Sequence, residues 1–221
     1  MVLMAKRQRA ENVEREEKAK KYFTKVGMNE DDDQQMEKCS IRGLYRSLQG
    51  VFQKVTWRKL VCNNKGRPKW IFILRLAIQQ RLATKDWLAR WGVDIDQTCS
   101  LCNKENETVQ HIFFKCEITG KIWNGLLRWQ GIQSSHNNRQ DVITWMVKAT
   151  KGKSSRAASR MTLAAAVYHC WQERNFVIFQ KKRRTTTSLI KHIIQEVHIR
   201  AARFPYLDKV MTTLNWYPEI S

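Results

Sequence analysis

The amino-acid sequence predicts a mainly α fold: a small helical domain organised around a cluster of cysteines and one histidine, with additional helices C-terminal to it. Three observations predict it. Apolar residues recur at three- and four-residue spacing in one segment after another. No stretch alternates apolar and polar residues over the length of a strand, and no Asn-Gly hairpin signal occurs. Three of the six cysteines and one of the five histidines fall in the eighteen residues from Cys99 to Cys116, while Cys39, Cys62 and Cys170 are scattered singly. At 221 residues, 43% hydrophobic and with nine tryptophans, the chain has enough apolar surface to bury a core.

The pattern divides the chain into four segments. Residues 1–38 read as a charged helix over 5–22 and an acidic linker; acids and bases alternate there at helical spacing with little to bury. The Asp31-Asp32-Asp33 run lacks the apolar hairpin flanks and the distant third carboxylate that nucleotidyl transfer requires, and reads as a solvated linker. Residues 40–132 form the main domain. Ser40 caps a short helix presenting Ile41, Leu44, Tyr45 and Leu48, Trp57 and Leu60 continue an apolar run, and Asn63 to Pro68 break it. Pro68 suits the first turn of a helix running to about Gln80. Thr84 caps a second helix through Trp91, with Asp86 in its first turn and Gly92 as its stop. Trp70, Phe72, Ile73, Leu74, Leu76, Ala77, Trp87 and Leu88 are assigned to the core. After the cysteine turn, a helix carries Ile122, Trp123, Leu126, Leu127 and Trp129 up to Gly131.

Residues 133–156 read as a linker with a short helix at 141–149 and a basic loop, Lys151 to Arg156, which lacks the preceding glycine and apolar strand of a phosphate-binding loop. Residues 157–221 form the C-terminal helical region. A long helix over 157–182 offers Leu163, Val167, Cys170, Trp171, Ile178 and Phe179 for packing. His169 and Cys170 are neighbours that point in different directions on a helix, so they make no nucleophile-base pair. A last helix starts at Thr187 or Ser188 and carries an apolar stripe of Leu189, Ile190, Ile193, Ile194, Val197 and Ala201. That stripe must be covered, by the preceding helix or by a second protein docking at 189–201.

Cys99 and Cys102 lie two residues apart, His111 comes nine residues after Cys102, and Cys116 five after that. Zinc accepts a tetrahedron of thiolates and imidazole, with Zn–S about 2.3 Å and Zn–N about 2.0 Å. Two cysteines across a tight turn and a second pair from another element supply one. Glu107-Thr108 reads as the start of that element, with Val109, Ile112 and Phe113 facing the core and His111 turned to the metal. Five residues correspond to about 140° on a helix turning ~100° per residue, so the helix must end or distort before Cys116. Three reduced core cysteines, or a disulfide with a spare thiol, are the competing accounts. The polar flanks Asp94, Asp96, Asn103 and Lys104 and the lack of a secretory signal weigh against both. With four protein ligands and no open position, one structural Zn2+ is expected rather than a catalytic one.

The ordered run Pro68-Lys-Trp70-Ile-Phe-Ile-Leu74, Arg81-Leu-Ala-Thr84-Lys-Asp86-Trp-Leu88, Gly92-Val93, Cys99-Ser-Leu-Cys102, Glu107-Thr108, His111-Ile-Phe-Phe114, Cys116 and Ile122-Trp123 resembles the reverse-transcriptase zinc-binding domain of plant LINE-type (non-LTR) retrotransposon polyproteins. The similarity extends from about Ser40 to Ile132, and Trp171-Gln-Glu-Arg174-Asn175 to Phe179 resembles the segment C-terminal to that domain in the same elements. The resemblance implies Cys99, Cys102, His111 and Cys116 as the four metal ligands. Ser100 stands where many members have Pro, and Asn103 where Gly is frequent.

Charge points to the partner. The chain carries a formal net charge of +20; nine Lys/Arg and nine Asp/Glu up to Ser40 leave thirty-one bases against eleven acids in residues 41–221. Such a surface attracts polyanions, and nucleic acid is the commonest inside cells. Candidate phosphate contacts are Lys65, Arg67, Lys69, Lys104, Lys115 and Lys121, with Lys181, Lys182, Arg183 and Arg184 as a further basic cluster or nuclear import signal. No apolar run approaches the ~20 residues of a membrane span. An intracellular, more nuclear than cytoplasmic, non-enzymatic protein is expected, since hydrolytic zinc needs an open site and a base and deaminases need His-x-Glu ahead of Pro-Cys-x-x-Cys. The resemblance implies a nucleic-acid-binding accessory to a reverse transcriptase absent from this chain. A zinc-stabilised protein-interaction module and a retrotransposon relic without function are the alternatives.

Overall fold

The computed structural model describes residues 57–132 and 152–214, together with residues 17, 20, 21, 24 and 55. Expectations for the Ser40 helix, the 133–151 linker and its short helix, and the acidic 31–33 run lie outside the described residues. Residues 1–55 and 56–221 form two compact units. In the first, Glu17, Lys20, Lys21 and Thr24 are helical. The elements named below belong to the second.

All of its regular structure among the described residues is helical. The order is α1 (Arg58–Val61), α2 (Pro68–Ile78), α3 (Lys85–Arg90), a π-helical turn (His111–Lys115), α4 (Glu117–Trp129), α5 (Lys153–Gln180), α6 (Thr186–Ala201) and α7 (Pro205–Met211). The mainly α expectation holds. At ~1.5 Å per residue, the 28 residues of α5 span roughly 42 Å, and this helix is the axis on which the others lie. From Ala158 to Arg174 most of its side chains are buried, including Met161, Leu163, Ala164, Val167, Cys170 and Trp171. One core joins these residues to Trp70, Leu74, Phe113, Ile122 and Leu126 from the first half of the unit and to Ile193, Val197, Leu207 and Met211 from its end.

Contacts between α2 and α5 ascend together: the Asn64 side-chain amide reaches the Arg160 carbonyl at 2.7 Å, Gly66 lies over Ala164, and the Trp70 ring sits 6.1 Å from that of His169. The two helices therefore run in the same direction. Asn64 fixes their lower end, because its amide also donates to the Leu60 carbonyl and its oxygen accepts from the Gly66 amide. On α2 the buried face is Trp70, Leu74, Ala77 and Ile78, an i, i+4, i+7, i+8 set. Phe72 falls on the opposite side and is 59% exposed, which corrects its assignment to the core. Phe179 is likewise turned to solvent near the end of α5.

The apolar stripe of α6 finds its cover within the chain. Leu189, Ile190, Ile193, Ile194, Val197 and Ala201 are all at most 2% exposed, packed by α4, α5 and α7. Gly125 permits the closest approach, for a Cβ there would come within 2.6 Å of Ile190 Cδ1. The helix begins at Thr186, one or two residues earlier than expected: Thr185 is its cap, with its hydroxyl accepting the Ser188 amide at 3.2 Å. Helix α7 lies beyond the last helix that the apolar pattern marks. Extended Phe204 precedes Pro205 at the helix's first turn, and Leu207 and Met211 complete the core. None of the helices among the described residues is long and apolar enough to cross a membrane.

His169 is buried against the Trp70, Tyr168 and His192 rings, and its Nε2 has no hydrogen-bond partner among the described residues. Burial first, then the positive neighbours around it, pull its pKa down to about 3. The unfolded chain, where His titrates near ~6.5, takes up this proton before the folded chain does. Stability from this site is therefore complete above pH ~6.5 and is lost as pH falls, by up to about 1.4 kcal/mol per unit. Urea unfolding of wild type and His169→Phe at pH 7.5, 6 and 4.5 should show the wild type losing more stability on acidification than the variant; parallel losses would contradict the assignment.

Candidate metal centre

Cys99, Cys102, His111 and Cys116 each bring one ligand atom into a group in which all four atoms lie within 4.8 Å of one another. Cys102 Sγ is 3.2 Å from His111 Nε2. Three pieces of local structure place them. The first two cysteines stand on a turn closed by pairing of Thr98 with Asn106: the Cys99 amide donates to the Glu105 carbonyl and the Glu107 amide to the Gln97 carbonyl, both at 2.7 Å. At the end of the turn Asn103 has φ of 55°, a left-handed conformation that Asn tolerates better than most residues with a side chain. The departure from Gly thus leaves the turn intact.

His111 enters from a helical turn whose start is set by Thr108, with its hydroxyl accepting the His111 amide at 2.9 Å. The ladder then widens into a π-helical turn over His111–Lys115, in which the Cys116 amide donates to the His111 carbonyl at 2.8 Å. This i+5 closure is the distortion that the His111–Cys116 spacing requires, because the wider turn draws the fifth residue beneath the first. Cys116 then adopts an extended conformation as the N-cap of α4, where the nearby backbone of Ile118 and Thr119 helps hold its thiol below the ordinary value. The Thr119 hydroxyl fastens the junction by donating to the Ile112 carbonyl at 2.6 Å.

These residues fit a zinc ion. With Zn–S near 2.3 Å, a tetrahedron places its sulfurs about 3.8 Å apart, within the spread of the cluster. His111 Nδ1 lies 3.1 Å from Glu105 Oε2, an arrangement that keeps the ring proton on Nδ1 and leaves the Nε2 lone pair facing the sulfurs. The hydrogen bond between Cys116 and Cys99, together with burial, raises the Cys99 thiol, and the same bond lowers Cys116. Metal binding would require all three thiols to be deprotonated.

Behind the ligand candidates stands Glu107, 0% exposed. Its Oε1 accepts the Lys85 amide at 3.0 Å and Arg174 Nε at 3.1 Å, with Arg174 Nη2 closing the ion pair. Its Oε2 faces the Ser100 amide at 3.5 Å. This carboxylate therefore caps α3, in place of the Thr84 hydroxyl, which turns to Asp86 instead. Arg174 also reaches the Ala83 carbonyl at 3.4 Å. Sequence reasoning marks Glu107 only as a helix start and assigns Arg174 no role. The available signal is a charged pair, Glu173-Arg174, shortly after the largely apolar run from Leu163 to Trp171. Glu173 is 3% exposed and binds Arg184.

The ten candidate phosphate contacts do not form one surface by role. Lys104 and Lys121 both pair with Glu117, and Lys115 is exposed beside them in sequence. Arg183 donates to the Ser100 carbonyl at 2.9 Å, and Arg184 Nε to Glu173 at 2.7 Å, so this pair secures the α5–α6 turn, where Lys181 holds φ of 55°. Lys182 is exposed. Lys65, Arg67 and Lys69 lie together at the start of α2, beside Arg200 and Arg203 from the end of α6, two cations that no sequence motif singles out.

A family model described as zinc-binding in reverse transcriptase matches residues 39–123, which contain all four ligand candidates. That segment is thereby supported as a zinc-binding domain of the reverse-transcriptase kind. No curated protein and no solved structure matches the chain.

The Glu107–Arg174 pair generates a direct test. Arg174→Met strands a buried carboxylate and should cost about 3–5 kcal/mol in urea unfolding, with part of the loss recovered in the Glu107→Gln/Arg174→Met double variant. Additive losses would mean that the pair is not coupled.

Proposed function

We propose that this chain is a retrotransposon-derived module whose single structural Zn2+, held by Cys99, Cys102, His111 and Cys116, stabilises a helical body that binds nucleic acid without catalysing a reaction on it. In its original setting, a plant LINE-type element by the sequence resemblance, the module assists a reverse transcriptase that this chain lacks, and it acts in the nucleus. The zinc supplies cross-linking of turn, π-helical turn and α4, contributing folding energy rather than reactivity.

The observation that carries the nucleic-acid reading is the distribution of charge. Of the nine carboxylates between residues 57 and 214 among the described residues, Asp86, Asp96, Glu105, Glu107, Glu117, Glu173 and Glu196 are engaged by cations or by His111 within the chain. The excess of lysine and arginine remains on the outside, where phosphates would neutralise it. Those internal pairings also disfavour carboxylate-based metal chemistry. A second reading, docking to a protein, is favoured by the exposed rings of Phe72, Trp91 and Phe179.

Two measurements test the proposal. Wild type should bind one zinc per chain by elemental analysis, and Cys99→Ser or His111→Ala should lose it and melt at a lower temperature; unchanged metal content and melting in both would sink the site. Affinity for short RNA and DNA should fall steeply between 50 and 200 mM salt, as expected when several phosphates release counterions, and should fall again on zinc removal. Absence of binding at the lower salt would favour the protein-docking reading.

A further inference from the structure

A groove of about 400 Å3 lies between the start of α2 and the end of α6, lined by Arg67, Pro68, Lys69, Ile199, Arg200 and Arg203. We infer that it binds a single strand of nucleic acid, with phosphate at Lys69 and Arg203 and a base against Tyr206. This rests on the nucleic-acid reading above and assigns it a place and a strandedness.

The groove is lined by four cations, one of which, Arg67, pairs with Glu196 at 3.1 Å. Two of the cations are fixed by the protein itself. Arg67 is held by that carboxylate and lies over the Trp70 ring, and Arg200 donates to the carbonyls of Lys65 and Gly66 at 2.8 and 3.3 Å. Preorganised guanidiniums suit phosphate oxygens because little side-chain freedom is lost on binding. Burial, and then the charges of Arg203 and Arg67, lower the pKa of Arg200; the cations are close enough to repel, and a bound anion relieves that repulsion. Lys69 and Arg203 are exposed, and neither forms an ion pair with a carboxylate among the described residues. Lys69 Nζ rests 5.0 Å from the centre of the Tyr168 ring.

Strandedness comes from the apolar groups. Ile199 is 48% exposed within the groove, and Tyr206 is 41% exposed. The Tyr206 ring lies 6.3 Å from that of Phe204, which itself receives the Arg200 and Lys65 cations at 5.2 and 5.7 Å. Cations over the Phe204 ring, with the exposed Tyr206 ring next to it, match the combination that holds single strands, in which the backbone is neutralised and a base face stacks. A duplex offers phosphates but has its base faces already stacked, so it would use the cations and not the ring.

The experiment uses the full zinc-loaded chain and labelled twelve-nucleotide single-stranded RNA and DNA, with duplex DNA of the same length, across a salt series. Lys69→Gln/Arg203→Gln should weaken single-strand binding about tenfold or more and reduce the slope of log affinity against log salt by about 1.4, two phosphates at about 0.7 each. Tyr206→Ala should weaken single-strand binding about tenfold and leave duplex binding unchanged. The Arg81→Gln/Arg128→Gln control, which removes the same charge at exposed positions given no part in binding, should bind as wild type does. All four substituted lysine and arginine positions and Tyr206 are exposed, and circular dichroism with zinc content confirms folding. Equal losses in the groove and control variants would overturn the site while leaving nucleic-acid binding intact. Loss of duplex binding in Tyr206→Ala would overturn the single-strand assignment. A wild type that binds none of the three would overturn both this inference and the reading beneath it.

Discussion

Glu107 is a fully buried carboxylate with three separate parts of the chain turned toward it. Burying a charge is unfavourable by several kcal/mol unless it is paired and hydrogen-bonded, so the Arg174 guanidinium and the amide of Lys85 are conditions for its presence. The arrangement is specific because it is demanding. Slippage of α5 by one residue would move Arg174 about 100° around the helix and leave both charges unpaired in the interior. The pair thereby fixes the register of the longest helix against the cysteine turn. Arg183 repeats the connection at a second point, the Ser100 carbonyl, so the turn is held from the C-terminal half of the chain as well as from its own loop.

That connection alters how the metal centre relates to the fold. The four ligand candidates lie within eighteen residues, and a centre so local could in principle stand alone. Here its turn, the π-helical segment and α4 share a core with α5, α6 and α7. A zinc ion closing the ligand set would act on the same body that carries the basic groove, through Glu107 and Arg174 on one side and through the packing of α4 on α6 on the other. Glu105 adds a finer control, since its carboxylate orients the His111 ring from the solvent side.

Much of this is legible in the sequence where the signal is periodic or short-range. The helices beginning at Pro68 and spanning Glu117–Trp129, and the stripe from Leu189 to Ala201, obey apolar spacing that a helix must satisfy. The grouping of Cys99, Cys102, His111 and Cys116 is legible because Cys-x-x-Cys spacing has few other uses in a polar turn. The distortion between His111 and Cys116 is legible from the helical angle alone. Choices made by distant partners are not. Nothing local shows that Glu107, and not Thr84, caps α3, because that carboxylate lies twenty-two residues away. Phe72 reads as core by composition, but the face of α2 is decided by Trp70 and Leu74 meeting α5. The grouping of Arg200 and Arg203 with Lys69 depends on how α6 ends against the start of α2.

The surface charge is a consequence of how the interior is built. A chain with eleven acids after Ser40 uses Glu107 and Glu173 to hold arginines in the interior or at its edge, and Glu196 and Glu117 to hold cations at its rim. Each such pair neutralises a carboxylate that could otherwise have balanced the outer surface. Among the described residues, exposed cations such as Lys69, Lys182 and Arg203 have no paired carboxylate, and their mutual repulsion raises the free energy of the compact state. A polyanionic partner would lower that free energy by the same electrostatics, so internal ion pairing and the proposed affinity for phosphate would arise from one allocation of charge.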